Sequence, residues 1–259
     1  MSTPKPIRVF LVDDVPELRM LVRLTLEEDP AIEVVGEASN GREGVDGVAE
    51  AKPDVVLLDL SMPDMDGLEA IPLMRESAPD ARLVVLSGHE AGRISLEALH
   101  QGATRYVNKS SDLDTIRDIV REVAVMEPPF SDERFGTVRA MWESFLTGEI
   151  DRMLSYAAAD ARFRPYAAGG REFRSHQELR EFIAACVAGG RVVDPRAYGV
   201  EPRGSGLIVF GTLEIRGSGG MTETPLYWAF GFNGPLVNMA AGYDRHDAAV
   251  AAIAAEPPA

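Results

Sequence analysis

The sequence contains very little cysteine and lysine, and it has no long apolar run. Its 259 residues include one cysteine, Cys186, and only three lysines. A single cysteine excludes an internal disulfide framework and is typical of a reducing compartment. No apolar segment approaches the roughly 20 residues that a membrane helix needs, and residues 1–8 lack the charged-then-apolar layout of a signal peptide. We therefore expect a globular cytoplasmic protein without a membrane partner, long enough for two domains.

An excess of positive charge is also lacking. The net charge is −15. Residues 1–126 carry 24 acidic and 13 basic side chains, a net charge of −11, and residues 127–259 carry 17 and 13, a net charge of −4. Proteins that bind DNA usually present a basic surface to the phosphates. The charge therefore argues against DNA as a partner. A transcription factor remains an alternative only if the acidic chain carries a small basic face.

The first half of the chain alternates short apolar runs with segments of helical periodicity. The predicted strands are residues 7–12, 32–38, 55–59, 83–87 and 105–107, and the predicted helices are 16–28, 41–51, 66–76, 91–101 and 112–126. Pro72 within the third helix predicts a kink or a late start. Strands that alternate with helices form a parallel sheet covered on both faces, so the prediction is an α/β doubly wound, five-stranded, three-layer sandwich.

Polar side chains follow four of these predicted strands. Asp13 and Asp14 follow the first strand, Asp59 ends the third, Ser87 ends the fourth and Lys109 follows the fifth. Ligands bind at the carboxyl ends of the strands in open α/β sheets. Each residue alone is most simply a solvated loop group, but the topology brings all of them to one edge. Three carboxylates there predict a Mg²⁺ site, with Lys109 as a second cation.

The residues around these strand ends resemble the receiver domain of two-component response regulators. The matching segments are LVDD at 11–14, LDLSMPDMDG at 58–67, LSG at 86–88 and GATRYVNK at 102–109. The resemblance covers residues 7–126 and implies a flavodoxin-like fold. It also implies that a sensor histidine kinase phosphorylates Asp59 in a Mg²⁺-dependent reaction.

The same resemblance implies a role for each residue of the site. Asp14 and Asp59 would hold Mg²⁺ directly, Asp13 through water, and Ser61 through its backbone carbonyl. Lys109 would pair with the phosphoryl oxygens, Ser87 would donate a hydrogen bond to one of them, and Tyr106 would turn inward. The family often has proline after the lysine, where this chain has Ser110, so a looser loop is expected there.

The second half of the chain has a different pattern. Residues 127–133 contain a proline pair and form a predicted linker, residues 134–250 form a predicted second domain, and residues 251–259 form a predicted tail. Helical patterns come first, including one at 150–158 and one at 176–188, and alternating segments follow at 196–201, 206–216, 222–232 and 236–244. This order predicts an α+β domain with helices on one face of an antiparallel sheet.

Three segments of this half resemble the SnoaL-like branch of the nuclear transport factor 2 superfold. They are WESFLTGEID at 142–151, REFRSHQEL at 171–179, and FGFNGPL at 230–236 followed by YDR at 243–245. The resemblance implies a curved antiparallel sheet wrapped around a cone-shaped pocket, and a homodimer formed through the sheet. That fold includes isomerases, cyclases and binding modules, so the fold alone does not define the activity.

Polar and aromatic residues of the predicted sheet are candidates for lining this pocket. They are Tyr198, Glu214, Tyr227, Trp228, Tyr243, Asp244 and His246. A buried acid beside an aromatic hydroxyl would suit proton abstraction next to a carbonyl. The competing interpretation is that the aromatic residues are core and that residues 244–247 are a solvated strand end. The leading hypothesis is a phosphorylation-controlled regulator whose output domain does not bind DNA and binds a small molecule or a protein. The alternative is a phosphorylation-gated isomerase or cyclase.

Overall fold

In a computed structural model, the described residues are 5–88, 93–126, 133–217 and 219–255. The chain divides into a first unit, Met1–Ser131, and a second unit, Asp132–Ala259. Residues 127–132 of the predicted linker, residues 91–92 of a predicted helix and residues 256–259 of the predicted tail lie outside the described residues. No helix in the described ranges combines the length and hydropathy needed to cross a bilayer.

In its described residues, the first unit alternates five strands with five helices. The strands are β1 (Ile7–Val12), β2 (Ile32–Ala38), β3 (Val55–Asp59), β4 (Arg82–Ser87) and β5 (Arg105–Asn108). The helices are α1 (Pro16–Glu27), α2 (Gly41–Ala51), α3 (Gly67–Ser77), α4 (Arg93–Gln101) and α5 (Leu113–Ala124). Neighbouring strands pair in parallel in the order β2-β1-β3-β4-β5. The predicted α/β fold with a parallel sheet is confirmed.

The apolar runs of the sequence are the interior of this sheet. Every residue of β3 is buried, as expected of a central parallel strand covered on both faces. On one face, α1 and α5 contribute residues such as Leu26 and Val120 to a core cluster with alternate strand residues. Helix α3 contacts both α2 and α4. The packed strands therefore fix the positions of the side chains at their carboxyl ends.

Local capping residues explain where two of the helices begin. The side chain of Asp66 accepts a hydrogen bond from the Glu69 backbone N–H, and the Glu69 side chain accepts one from the Asp66 N–H, so α3 starts with a capping box. Asp112 caps α5 through the Thr115 N–H. Helix α3 begins at Gly67 and remains helical through Pro72. The late start of this helix that was expected from Pro72 is therefore wrong, because the capping box fixes the first turn of α3.

The second unit is richer in strands. Its helices are α6 (Glu133–Leu146), α7 (Ile150–Ser155), α8 (His176–Ala188) and α9 (His246–Ala254), with a short 3₁₀ turn at Tyr166–Ala168. Its strands are β6 (Ala157–Arg164), β7 (Val192–Arg203), β8 (Gly206–Gly217), β9 (Gly220–Asn233) and β10 (Leu236–Tyr243). They are ordered β7-β8-β9-β10-β6, with the first four strands antiparallel. The predicted antiparallel sheet is confirmed.

One strand of the second unit contradicts the sequence prediction. Residues 157–158, which were predicted to end a helix, begin β6 instead. Strand β6 pairs in parallel with β10, and this pairing places Phe163 beside Ala240. Alanine has a high helix propensity, but sheet pairing and the burial of Ala157 and Ala161 override it here.

Candidate functional site

Three carboxylates meet at the carboxyl ends of β1 and β3. Asp13 and Asp14 directly follow β1, and Asp59 is the last residue of the neighbouring strand β3. One carboxylate oxygen from each of the three residues lies within 4.8 Å of the other two. Asp13 is 6% exposed and Asp59 is 2% exposed. Buried like charges repel strongly at this separation, so the cluster needs a positive partner.

Lys109 is a positive partner of two of these carboxylates. It follows β5, and its backbone N–H donates to the Ser87 carbonyl over 2.8 Å. Its Nζ lies 2.8 Å from Asp13 Oδ2 and 2.8 Å from Asp59 Oδ2. Burial lowers the pKa of Lys109, but its hydrogen bonds to the two carboxylates outweigh that effect and leave the pKa raised. Lys109 is therefore a cation at neutral pH.

Backbone donors fix the remaining oxygens of the two buried carboxylates. The Val15 N–H donates to Asp13 Oδ1 over 2.9 Å, and the Ser61 N–H donates to Asp59 Oδ1 over 3.1 Å. Each carboxylate thus has one oxygen held by the backbone and the other by Lys109.

The loop after Asp59 is packed closely against the end of β3. The Gly67 N–H donates to the Leu60 carbonyl over 3.0 Å, and the Gly41 N–H donates to the Met65 carbonyl over 3.2 Å. A Cβ atom on Gly67 would lie 2.2 Å from the Asp59 carbonyl oxygen, a distance that no side chain tolerates. Asp64, within the same loop, has a φ of 66°. The absence of a side chain at Gly67 allows the loop to place Ser61 against the Asp59 carboxylate.

Ser87 and Tyr106 form a second, uncharged part of the site. Ser87 ends β4 and is fully buried, and Tyr106 in β5 is 3% exposed. Burial raises the pKa of the Tyr106 phenol, and its hydrogen bond to the Ser87 side chain acts in the opposite direction. Tyr106 therefore points inward in this structure and contacts the hydroxyl that was predicted to approach the phosphoryl group.

The loop after Lys109 is closed by side-chain hydrogen bonding. Asn108 Oδ1 accepts from the Ser110 N–H over 2.8 Å, and the Asn108 carbonyl accepts from the Ser111 N–H over 3.0 Å. These bonds form the turn at the position where proline was expected from the resemblance. The Asn108 side chain thus constrains the turn that Ser110 was expected to loosen.

The second unit contains a cavity of about 1010 Å³. Its walls come from α6, α7, α8 and one face of the sheet, and they include Trp142, Phe182 and Phe230. The Trp142 and Trp228 rings meet edge to face, 5.1 Å apart. The cavity is at the upper limit of the size range of small-molecule sites in proteins.

Of the seven residues predicted to line a pocket, only Trp228 is among the described residues that line this cavity. Tyr227 and Tyr243 pack against the cluster that α9 forms with the sheet. His246 Nε2 lies 2.8 Å from Glu201 Oε2, and the His246 ring meets the Tyr227 ring edge to face. These side chains are thus brought together beside α9 rather than at the cavity wall.

The other three predicted residues have neighbours on the strands or are solvent-accessible. The Tyr198 hydroxyl lies 3.1 Å from Thr212 Oγ1, and Asp244 follows β10 and is exposed. Glu214 is 4% exposed and is bonded by Arg216 and by Arg196, whose Nη2 lies 2.8 Å away. The hydrogen bond from Arg216 lowers the pKa of Glu214 despite its burial.

The sequence pattern does not identify the charged residues at the cavity. Four arginines and one aspartate line it: Arg164, Arg180, Arg191, Arg216 and Asp194. All four arginines are exposed, so they lie where the cavity meets solvent. Arg180 follows Leu179, the first residue of an apolar stripe on α8 (Leu179, Phe182, Ile183, Cys186 and Val187), and that adjacency is the available signal in the sequence.

Comparison with known proteins identifies the first unit. Residues 9–121 match the family model of the response regulator receiver domain. Over 134 residues, 51% of this chain and 61% of the relative, the sequence is 37% identical to the nitrate/nitrite response regulator protein NarL of Escherichia coli K12. Over 119 residues, 46% of this chain and 33% of the relative, it is 41% identical to a protein-glutamate methylesterase/protein-glutamine glutaminase of Carboxydothermus hydrogenoformans.

A solved structure is similar over the same part of the chain. The response regulator domain of Thermotoga maritima CheB is 30% identical, with a TM-score of 0.45, and the match covers 48% of this chain and 100% of that one. The chain spans less than two thirds of the length of the curated relatives named above. The family-model match and the curated relatives identify residues 9–121 as a response regulator receiver domain, which confirms that resemblance.

Proposed function

We propose, from the premise that residues 9–121 form a response regulator receiver domain, that this chain is a two-component response regulator phosphorylated on Asp59 by a sensor histidine kinase. The observation that supports this function best is the Asp59 carboxylate, buried at a strand end with Lys109 Nζ at 2.8 Å. An oxygen of that carboxylate attacks the phosphorus, the bond from phosphorus to the donor atom breaks, and an acyl phosphate forms on Asp59.

Lys109 and the backbone prepare Asp59 for this reaction. Phosphoryl transfer requires a positioned nucleophile and positive charge near the oxygens of the transferred group. The Ser61 N–H orients Asp59, and Lys109 supplies a fixed charge. Ser87 is adjacent on β4 and offers a hydroxyl whose present partner is Tyr106. Movement of Ser87 toward the new phosphoryl group would break its hydrogen bond to Tyr106. Phosphorylation of Asp59 would thereby change the contacts of a residue on β5.

The donor set also fits Mg²⁺. Three carboxylate oxygens within 4.8 Å are hard ligands with more negative charge than Lys109 alone neutralises. Asp14 and Asp59 would hold the ion directly, Asp13 through water, and Ser61 through its carbonyl. When bound, Mg²⁺ supplies charge neutralisation for the phosphoryl oxygens.

Phosphorylation of the purified chain tests the role of Asp59. With acetyl phosphate and Mg²⁺, we expect intact-mass analysis to show one added phosphoryl group in the wild type and none in Asp59→Asn. Asp64→Asn is the matched control, because it removes a carboxylate from the same loop and asparagine tolerates the positive φ of that position. Removal of Mg²⁺ with EDTA should abolish labelling of the wild type. Equal labelling of Asp59→Asn and the wild type would reject the assignment.

We further propose that the second unit is a SnoaL-like output domain, with a cone-shaped pocket, that binds a small molecule or a protein and not DNA. The acidic charge of residues 127–259 and the cavity of about 1010 Å³ support this proposal. A homodimer formed through its sheet remains a prediction from the resemblance. Retention of the full chain on duplex DNA, weakened by added salt, would contradict the proposed output.

The alternative, an isomerase or cyclase in the second unit, has less support. It requires an acid facing the pocket with a raised pKa, whereas Glu214 does not line the cavity, its pKa is lowered and its carboxylate is bound by two arginines. Such a carboxylate is a weak base. We therefore favour binding over catalysis for this unit.

A further inference from the structure

The walls of the second-unit cavity are apolar and are not fully covered by other side chains. Helix α8 presents an apolar stripe toward the cavity. Leu179 at one end of the stripe is buried, Phe182 and Cys186 are only partly buried, and Val187 is 68% exposed. The apolar stripe of an amphipathic helix normally packs against the protein core. Here part of the stripe lines empty volume. An apolar molecule that filled the cavity would therefore remove the side chains of the stripe from water.

The mouth of the same cavity is cationic, although the chain as a whole is acidic. The four lining arginines and Asp194, together with the charged groups that pair with them, amount to five arginines and three carboxylates. Arg180 pairs with Asp151, Arg216 with Glu214, and the Arg164 guanidinium lies 5.5 Å from the centre of the Tyr243 ring. Arginines therefore outnumber carboxylates among these named groups, within a chain of net charge −15.

Arg191 provides one of these charges without a partner. Within the part of the chain that the structure describes, its side chain has no ion pair or hydrogen bond. Its neighbour Val192 pairs with Arg216 across β7 and β8, so Arg191 and Arg216 lie at the same end of these strands. Two guanidinium groups near one opening, beside exposed Val192, favour an anionic group that is attached to an apolar body.

From these observations we propose that the second-unit cavity binds an amphipathic acid, with its apolar chain or ring between α8 and the sheet and its carboxylate at Arg191 and Arg216. This inference rests on the proposed function, since it names the ligand class for a small-molecule output. The apolar walls provide the affinity, and the arginines select the charge of the head group.

The chain contains its own reporters for this cavity. Both of its tryptophans, Trp142 and Trp228, and its single cysteine, Cys186, line the wall. A ligand in the cavity should change the intrinsic fluorescence and slow the reaction of Cys186 with a maleimide.

The experiment compares three probes of equal chain length on the full protein, each below its micelle concentration. They are dodecanoate, dodecanol and dodecyltrimethylammonium. We expect dodecanoate to change the tryptophan fluorescence and protect Cys186, with an affinity at least about tenfold above that of either other probe. Equal binding of dodecanol and dodecanoate would reject the anionic class, and no binding by any probe would reject the cavity as a lipid-like ligand site.

Two variants that change the charge of the protein by the same amount test where the head group binds. Arg191→Glu should weaken dodecanoate about tenfold and leave dodecanol unchanged. Arg245→Glu is the control, because Arg245 is exposed beside α9 and does not line the cavity. Equal effects of the two variants would reject the head-group assignment.

Asp59→Asn separates this inference from the proposed function. Loss of phosphorylation should leave dodecanoate binding by the unphosphorylated chain unchanged. Failure of the probes together with normal labelling of Asp59 would overturn only the ligand inference.

Discussion

The receiver site and the second-unit cavity differ in how their side chains are partnered. In the receiver site, the oxygens of Asp13 and Asp59 are held by Lys109 Nζ and by backbone N–H groups at distances of 2.8–3.1 Å. In the cavity, Phe182 and Cys186 line empty volume and Arg191 has no side-chain partner among the described residues. The first site is pre-organised for one chemical step, whereas the second offers surface that a ligand would complete.

This difference predicts different responses to substitution. A change in the receiver site leaves a buried charge or a packed backbone atom without its partner, so stability and chemistry should fall together. A change in the cavity should alter binding and have little effect on stability. The two tryptophans report unfolding of the second unit, whereas circular dichroism reports the helices of both units, so a change in circular dichroism without a change in tryptophan fluorescence reports the first unit. The two responses are therefore measurable in one chain.

Lys109→Ala should have the largest effect on stability. It leaves Asp13 and Asp59 buried without their shared cation, and we expect the unfolding free energy at pH 7 to fall by about 2–4 kcal/mol in urea without metal. The pKa of Lys109 is raised, so its contribution is complete below the ordinary lysine value of about 10.4 and is lost as pH rises through the raised value. The difference from the wild type should therefore shrink at high pH.

Lys5→Ala is the control for this loss, because Lys5 is exposed. Added Mg²⁺ should recover part of the stability of Lys109→Ala by giving the carboxylates another cation. Equal stability of Lys109→Ala and the wild type without metal would contradict the proposed electrostatic role.

Gly67→Ala should have the next largest effect. Its new Cβ would approach the Asp59 carbonyl oxygen to 2.2 Å, so the loop must move, at a cost of about 1–3 kcal/mol. Movement of Ser61 with the loop should also slow phosphorylation by acetyl phosphate. Gly219→Ala is the control, since its Cβ meets no atom within 4 Å. Normal stability and labelling of Gly67→Ala would show that the loop does not position Asp59.

Much of the receiver site could be predicted from the sequence because topology determines it. Each of Asp13, Asp59, Ser87 and Lys109 lies at the end of an apolar run, and parallel strands bring such ends to one edge. The hydrogen bonds from Val15 and Ser61 could not be predicted, since they depend on the conformation of two loops. The inward position of Tyr106 is a rotamer choice that no periodicity encodes.

The cavity residues could not be predicted for a different reason. Adjacent residues of a strand such as β9 face opposite sides of the sheet, so the sequence predicts that Tyr227 and Trp228 do so. It does not predict which of the two sides a helix covers. Helix α9 covers the side of Tyr227. The strand β6 was also missed, because its alanines favour a helix and only its pairing with β10 makes them a strand.

Glu214→Gln tests whether the buried acid of the second unit is structural. The pKa of Glu214 is lowered by Arg216, so its contribution to stability is present above the ordinary glutamate value of about 4.3 and is lost as pH falls through the lowered value. We expect thermal unfolding of Glu214→Gln, followed by tryptophan fluorescence, to occur a few degrees lower at pH 7. That difference should shrink as the pH falls below the ordinary glutamate value and through the lowered pKa of Glu214. A stability difference that persists in acid would reject the ionic role.

Tyr106→Phe should have the smallest effect on stability and a selective effect on signalling. It removes the hydrogen bond to Ser87 and keeps the buried ring, so we expect a loss of about 1 kcal/mol or less, seen by circular dichroism in urea. If the release of Ser87 from Tyr106 opposes phosphorylation, the variant should be labelled by acetyl phosphate faster than the wild type. Tyr156→Phe is the control, because Tyr156 lies in the second unit. Slower labelling of Tyr106→Phe would show that the phenol assists phosphorylation instead, and the Ser87–Tyr106 contact would then be part of the active arrangement.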